Sequence, residues 1–369
     1  MNKVIVQVVQ HLRPGGIETM ALDLLKQLDS QAEVHIFSLE GDKASAIKQW
    51  PRLAETAHRL HFFDKSAGLD LTLVQRLIRR LIHLKASSVH SHHIGPFLYA
   101  GMAAKYLKLK HVHTEHDAWH LNKKSNKRLQ RTLIYLLKPM LVADCSEVAT
   151  ALNKHFPATT PKIILNGVDT QHFLPPTKQQ KASAKARLKI PKQTLLVGCA
   201  ARLETVKGHK FLLKALSRTH LDVHLVLAGD GSLRSSLEDL AEKLGIAERV
   251  TFLGNINDMV PFYHAIDLFC LPSLNEGLPL SPLEAQACGV PVIVTNVGGC
   301  KNIVCPKTGI TVSAGNIKEL QEALLHHSLS SRRTSPRQFV LSKGDLTKTA
   351  QAYFQLLEPN LSSQPTLEV

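Results

Sequence analysis

No apolar run in this chain of 369 residues approaches the roughly 20 residues that a membrane-spanning helix needs. The opening segment, Met1 to His11, is too short and too often interrupted by glutamine to serve as a secretory signal, and it reads as a first strand. A cytoplasmic protein is expected. The six cysteines (Cys145, Cys199, Cys270, Cys288, Cys300 and Cys305) form no Cys-x-x-Cys pair, and their mostly apolar surroundings suit buried free thiols. Cys300 and Cys305 lie close together but lack a second pair to complete a metal site. The 20 histidines are dispersed, without His-x-x-x-His spacing on an acid-bearing helix, so no metal is expected. Gly-x-Gly-x-x-Gly is absent, which removes the dinucleotide-binding fingerprint.

Acidic residues are also scarce: 30 against 45 Lys and Arg, a net charge of +15. Between Arg76 and Lys138 there are thirteen basic residues and two acids, Glu115 and Asp117. The run from Asn122 to Lys138 mixes basic residues with Leu129, Leu133, Leu136 and Leu137. Such a patch suits an anionic bilayer or a lipid-phosphate acceptor, at about 1 kcal/mol per basic residue near the surface. The plainer alternative is a solvated basic helix whose leucines face the core. No recognised nucleic-acid module accompanies the charge, so nucleic acid is not an expected partner.

What remains is ordinary globular composition in a length that fits two domains. Two α/β halves are visible. In the first, strands fit Val4–Val9, Glu33–Leu39, Ser88–Ser91, His111–His116, Leu141–Asp144 and Lys162–Asn166. A helix begins at Gly15-Gly16, where Ile17, Met20, Ala21, Leu24, Leu25 and Leu28 recur at helical spacing. The polar segment from Pro175 to Lys185 reads as a linker or as the first surface segment of a new domain. In the second half, strands fit Leu195–Ala200, Val223–Ala228, Val250–Leu253, Leu268–Leu271 and Pro291–Thr295, with helices at Phe211–Leu216, Ser232–Leu244 and Ser281–Cys288. This alternation predicts parallel sheets covered on both faces. The expected domains are residues 1–170 and 171–343, with a helix at about 345–357 returning to the first and a disordered tail over 358–369.

In parallel sheets ligands bind beyond the carboxyl ends of the strands. Gly15-Gly16, His116-Asp117, Arg202 and Gly229-Asp230-Gly231 all fall at such ends, and two such edges facing each other would make a cleft. The richest segment runs from Asn275 to Pro291, where Glu276 precedes a helix start near Ser281 and Glu284 lies in its first turn. Helix starts leave N–H groups unpaired and able to hold a phosphate. Flanking carboxylates would repel that phosphate if they faced it, and serve better as acceptors for hydroxyls of a sugar and a ribose. A local alternative is a capping box of Ser281 and Glu284 around Pro282, with Glu276 a solvated loop acid. Arg202 and Lys207, in the loop after a strand, could neutralise a pyrophosphate leaving group. Gly15-Gly16 lets backbone amides approach a phosphate, or simply makes a tight bend.

Taken in order, several segments resemble the retaining nucleotide-sugar glycosyltransferases of family 4, which have the GT-B fold of two Rossmann-like domains. They are Gly15-Gly-Ile-Glu, Thr114-Glu-His-Asp, Leu165-Asn-Gly-Val-Asp, Arg202-Leu-Glu-Thr-Val-Lys-Gly, Leu227-Ala-Gly-Asp-Gly, Val250-Thr-Phe-Leu-Gly and Glu276-Gly-Leu-Pro-Leu-Ser-Pro-Leu-Glu. The match is collinear over roughly residues 4 to 357. The resemblance implies that Glu276 accepts hydrogen bonds from donor-sugar hydroxyls and Glu284 from the ribose. Arg202 and Lys207 would hold the diphosphate with the Leu280 and Ser281 amides and Gly16. His116 matches the family histidine that approaches the sugar near the reacting centre. It also implies same-face attack without an enzyme nucleophile, no cofactor or metal, a nucleotide-sugar donor, and a glycan or lipid-linked acceptor taken by the first half, as in cell-surface polysaccharide or lipopolysaccharide synthesis.

One departure follows Gly298-Gly299, where the family usually carries a glutamate three residues on. Asn302 stands in that place here and Lys301 adds charge, so donor preference is open. Two other readings share the architecture: a nucleotide-sugar 2-epimerase, for which no acid/base carboxylates can be placed, and a non-catalytic nucleotide-sugar sensor, which the Asn302 change alone supports.

Overall fold

A computed structural model describes residues 3–188, 190, 193–329 and 336–358; the expected disordered tail beyond Glu358 lies outside the described residues. The chain divides into two compact units, one running to Leu165 and resuming at Leu346, the other spanning Asn166–Asp345. The crossing falls earlier than position 170 because residues 166–173 are tied into the second unit. Arg337 donates to Thr170 O and Phe173 O (2.8 and 2.7 Å), and Val168 bridges to Asp345.

The first unit has seven parallel strands: β1 Val4–Val9, β2 Glu33–Ser38, β3 Leu60–Phe62, β4 Ser88–His92, β5 Lys110–Glu115, β6 Met140–Ala143 and β7 Lys162–Ile163. Their order is β3-β2-β1-β4-β5-β6-β7. Every residue of β1 is buried, including Gln7, whose amide donates to Ala21 O at 2.8 Å. That bond explains how a glutamine interrupts an otherwise apolar strand covered on both faces. Helix Gly16–Gln27 sets Met20, Ala21, Leu24 and Leu25 against the sheet, each large side chain contributing about 1.5–3 kcal/mol by burial. Helix Leu346–Leu357 closes this unit: Tyr353 is fully buried with its hydroxyl 3.1 Å from Thr114 Oγ1, and Thr349 donates to Leu165 O.

The second unit has six parallel strands: β8 Leu195–Ala200, β9 Val223–Ala228, β10 Val250–Gly254, β11 Leu268–Leu271, β12 Val292–Thr295 and β13 Ile310–Val312, ordered β10-β9-β8-β11-β12-β13. The Pro175–Lys185 segment is not a linker. Thr177 and Gln180 form a reciprocal capping box that starts helix Lys178–Arg187. Lys181 and Lys185 fasten that helix to Asp267 at 2.8 and 2.6 Å. Strands β3 and β13, three residues each, escaped the sequence reading because so short a run carries no usable alternation. Strand β7 is only two residues long; Ile164 N still donates to Ala143 O across the ladder at 3.0 Å, and beyond it Leu165 O takes the Thr349 hydroxyl instead of a strand partner.

Both sheets reverse direction once. In the first unit β1 feeds β2 on one side while β4 lies on the other; in the second, β8 stands likewise between β9 and β11. A crevice opens outside the carboxyl ends at such a switch point.

Candidate active site

In the second unit the switch point gathers three loops that are far apart in sequence. The loop after β8 carries Arg202 and Lys207, and Leu203, fully buried, anchors it. Its Glu204 accepts from Ser232 N and Oγ (3.0 and 2.8 Å), bonds that hold the carboxyl below its usual range. Gly208 (φ +68) follows a short 3-10 turn, and a Cβ there would overlap Pro272 O. Only glycine lets the β8 loop press on the β11 loop, where Leu274 N donates to Val206 O at 2.7 Å.

Glu276 lies where these loops meet. It is only 9% exposed, and one oxygen, Oε1, accepts both from Lys207 Nζ (2.7 Å) and from Ser273 Oγ (2.6 Å). Ser273 is held in turn by Thr295, at the end of β12, whose hydroxyl donates to Ser273 O at 2.6 Å. The loop after β12 completes the wall: Gly299 N donates to Gly277 O at 2.7 Å, and a Cβ on Gly298 (φ +49) would overlap Glu276 O. Sequence reading gave Lys207 to a diphosphate and Glu276 to a sugar; here the two pair with each other. An ammonium has three donors, so two remain on Lys207 for a phosphate. Arg202 is exposed, and its charge acts on the neighbouring Glu204 carboxylate. Cys199, beneath this group, is fully buried, and burial pushes its thiol up to about 12.

The capping box offered as the local alternative at Ser281 is not formed. Leu280 is the N-cap of helix Ser281–Ala287, no side chain caps it, and Ser281 is the first helical residue. The reason lies with Glu284, whose Oε2 accepts from the hydroxyl of buried Tyr263 at 2.5 Å. Burial, reinforced by Glu284, keeps that hydroxyl protonated and donating. The amides of Leu280 and Ser281 stand at this uncapped start. Asn302 lies in the 3-10 turn Gly298–Ile303, in which Cys300 is buried and Lys301 exposed.

In the first unit, Gly15 caps helix Gly16–Gln27 with no side-chain bond. The two glycines serve different ends: a Cβ on Gly15 would overlap the buried Glu18 carboxylate, whereas Gly16 faces open space. Glu18, in the quoted Gly-Gly-Ile-Glu segment, had received no role. His116 follows β5, which β3 makes the fifth strand rather than the fourth. It is 7% exposed, its Nε2 lies 3.0 Å from His92 Nδ1 and its Nδ1 3.7 Å from Asp144 Oδ2.

Around His116 is a network that sequence reading missed. Alternation on paired strands was its signal, since His90 and His92 on β4 neighbour His111 and His113 on β5, with Ser91 opposite His113. Ser91 Oγ lies 2.8 Å from His111 Nε2 and 2.9 Å from His113 Nδ1. Burial, then neighbouring histidines, drive His90 and His92 well below the usual imidazole range, His111 to about 3 and His93 to about 4. His120 goes the other way. Its burial opposes protonation, but Asp117 (2.9 Å), Glu115 and the Gln130 carbonyl raise it to about 9. Glu115 accepts from His113 and Gln130 (2.7 and 2.6 Å); against the effect of burial, the His113 bond and the neighbouring imidazoles hold its carboxyl below the usual range. A separate cavity of about 800 Å³ lies outside edge strand β3, lined by Phe62, Arg76, Arg79 and Arg80 among others, two strands from the β1–β4 switch point.

This arrangement of two doubly wound sheets, with cations and hydroxyl acceptors at a switch point, has known counterparts. The family described as glycosyl transferases group 1 matches residues 180–336, and glycosyltransferase family 4 matches residues 14–172. Over 349 residues, 85% of each chain, the protein is 34% identical to the GDP-mannose-dependent monoacylated alpha-(1-6)-phosphatidylinositol monomannoside mannosyltransferase of Corynebacterium glutamicum. The chain belongs to glycosyltransferase family 4. This family 4 glycosyltransferase is also 30% identical to the putative glycosyltransferase EpsF of Bacillus subtilis over 312 residues, 80% of this chain and 79% of that one. Its GT-B fold is shared by Anabaena Alr3699/HepE in complex with UDP-glucose (TM-score 0.85, 21% identity, 96% and 99% of the two chains). It is shared equally by a glycosyltransferase from Rickettsia africae (TM-score 0.82, 20% identity, 97% and 100%).

Proposed function

We propose that this glycosyltransferase moves a hexose, with retention of configuration, from a nucleoside diphosphate sugar to a glycan or lipid-linked acceptor of a cell-surface polysaccharide or lipopolysaccharide. The observation that carries the proposal is the meeting of Lys207, Ser273 and Glu276 at the β8–β11 switch point, with Arg202 exposed in the same loop as Lys207. Glu276 reads sugar hydroxyls and Glu284 the ribose. Arg202, Lys207, the Leu280 and Ser281 amides and Gly16 receive the diphosphate, whose charge grows as the bond from C1 to the phosphate oxygen breaks. The acceptor oxygen bonds C1 on the same face, and its proton passes to the departing phosphate. His116 is assigned to the sugar near the reacting centre. No metal or cofactor is needed in this scheme, because fixed cations and backbone amides supply the positive charge.

The names of relatives bear on donor and acceptor classes. The Corynebacterium relative is described as GDP-mannose-dependent and acts on a phosphatidylinositol mannoside, and one from Rhizobium meliloti is described as a lipopolysaccharide core mannosyltransferase. Peripheral contact with an anionic membrane, on its cytoplasmic face, fits the basic stretch. Its only acids, Glu115 and Asp117, are buried. In helix Lys124–Leu137, Leu133 faces the core while Tyr135 and Leu136 are 75% and 56% exposed. No helix of the described residues is long and apolar enough to cross a bilayer.

A thermal-shift panel of UDP-, GDP- and ADP-sugars tests the donor class. A true donor at about 100 times its dissociation constant adds roughly 2.7 kcal/mol of stability. Glu276→Ala should then abolish transfer of that sugar to membrane extract, and wild-type turnover in the variant would defeat the reading.

A further inference from the structure

Tyr263 is fully buried, yet its ring and its hydroxyl have different work. It lies in the short helix Val260–Ala265, between β10 and β11. Asp258 holds the start of that helix, accepting from Val260 N at 3.0 Å, and His264 ties its end to Leu174 O at 2.9 Å. The Tyr263 ring packs edge-on against Phe173 and Phe262, whose centroids lie 5.8 and 5.3 Å from its own. That packing is apolar and asks for a ring, not for a hydroxyl. Among the described residues the hydroxyl bonds one group, the Glu284 carboxylate, at 2.5 Å, a length usual for an O–H donor on a charged oxygen.

Glu284 has a local alternative. Ser281 stands three residues before it with Pro282 between, the spacing at which a glutamate turns back to bond its own helix start. The structure holds the bond to Tyr263 instead. Burial keeps the tyrosine protonated, so its hydroxyl donates throughout the working pH range. Glu284 itself is half-buried and reaches the surface that Tyr263 does not. A carboxylate fixed through one oxygen from inside the protein needs little reordering when a ligand arrives, and ordering that is already complete is a source of affinity.

We propose that Tyr263 is a positioning residue for the donor: its buried hydroxyl fixes the Glu284 carboxylate in the pose that accepts from a ribose hydroxyl, and so sets the preference for ribose over deoxyribose in the nucleotide. The inference rests on the ribose role given to Glu284 above. Because Tyr263 is wholly buried, it reaches the nucleotide only through Glu284. That separates it from a residue that merely packs, whose loss would weaken every nucleotide alike.

The test uses the full chain and calorimetry. Dissociation constants are measured for UDP, GDP or ADP, whichever the wild type binds most tightly, and for its 2′-deoxy and 3′-deoxy forms. The wild type is expected to prefer the ribonucleotide to at least one deoxy form by about tenfold or more, the worth of a hydrogen bond to a charged oxygen. Tyr263→Phe keeps the ring and should weaken the ribonucleotide by about tenfold while leaving that deoxy form almost unchanged, so the preference nearly vanishes. In a Glu284→Ala background the same change should add nothing. A wild-type preference retained in Tyr263→Phe, an equal weakening of all three nucleotides, or a further loss in the Glu284→Ala background overturns the positioning role. A wild type indifferent to both deoxy forms would overturn the ribose role of Glu284 itself, a result distinct from these.

Discussion

Acidification should unfold the first unit before the second, and the histidine network sets the size of the effect. In the folded protein His90, His92, His93 and His111 stay neutral, mainly because they are buried and then because each neighbours other imidazoles. In the unfolded chain each titrates near 6.5. Below that pH the unfolded state binds protons that the fold refuses, so stability falls as the pH falls. Between pH 6.5 and 5 the loss is somewhat under about 2 kcal/mol for each group, since the unfolded imidazole is already half protonated at 6.5, and about 6–7 kcal/mol for the four, against a typical total of about 5–15. Glu115, its carboxyl held low in the fold, adds its own loss only at still lower pH. His120 is protonated in both states below 6.5, so its contribution is full there and is lost as the pH rises toward its folded value of about 9. Among the described residues of the second unit burial lowers His209, to about 4, and, less deeply buried, His224. The assay is direct because both tryptophans, Trp50 and Trp119, lie in the first unit. Urea midpoints from tryptophan fluorescence should fall steeply between pH 7 and pH 5, and faster than midpoints from far-UV circular dichroism. A fluorescence midpoint that does not move over that range would refute the argument.

Two further outcomes concern Glu276. Lys207→Met should lower the ligand-free melting temperature by removing the cation from a buried carboxylate, at a cost of about 1–3 kcal/mol. Adding Glu276→Gln should recover part of that, so calorimetry of the double-mutant cycle will show non-additivity; additive effects would mean that the pair does not couple. Ser273→Ala should reduce kcat/KM for the donor by about 10–100-fold, the worth of one hydrogen bond to a charged oxygen. Thr295→Val should do so less and Thr295→Ser hardly at all, and equal rates for all three would show that Glu276 needs no such support.

The strands of both sheets were legible where apolar runs were long, as in β1, β8 and β9, and the site segments were legible because glycine and proline punctuate the loops that carry Lys207 and Glu276. Less was visible wherever the decisive partner lies on another strand. Ser281 and Glu284 have the spacing of a capping box, but Tyr263, 21 residues away, takes the Glu284 carboxylate instead. Lys207 and Glu276 read as independent charges until β8 and β11 become neighbours in the sheet. The histidines looked dispersed along the chain, because the pairing of β4 with β5, which sets His90 and His92 on one face of the sheet and His111 and His113 on the other, is a property of register.

The return of helix Leu346–Leu357 to the first unit has a bearing on how the chain is made. Residues 166–345 are contiguous and emerge from the ribosome as a set. The first unit, though begun earlier, lacks the wall that Tyr353 fills until the last helix has been synthesised. The usual order of birth, amino-terminal domain first, is therefore inverted. The half that is translated later can finish folding sooner, and its sibling waits, with part of its apolar sheet uncovered, until residues 346–357 have been made.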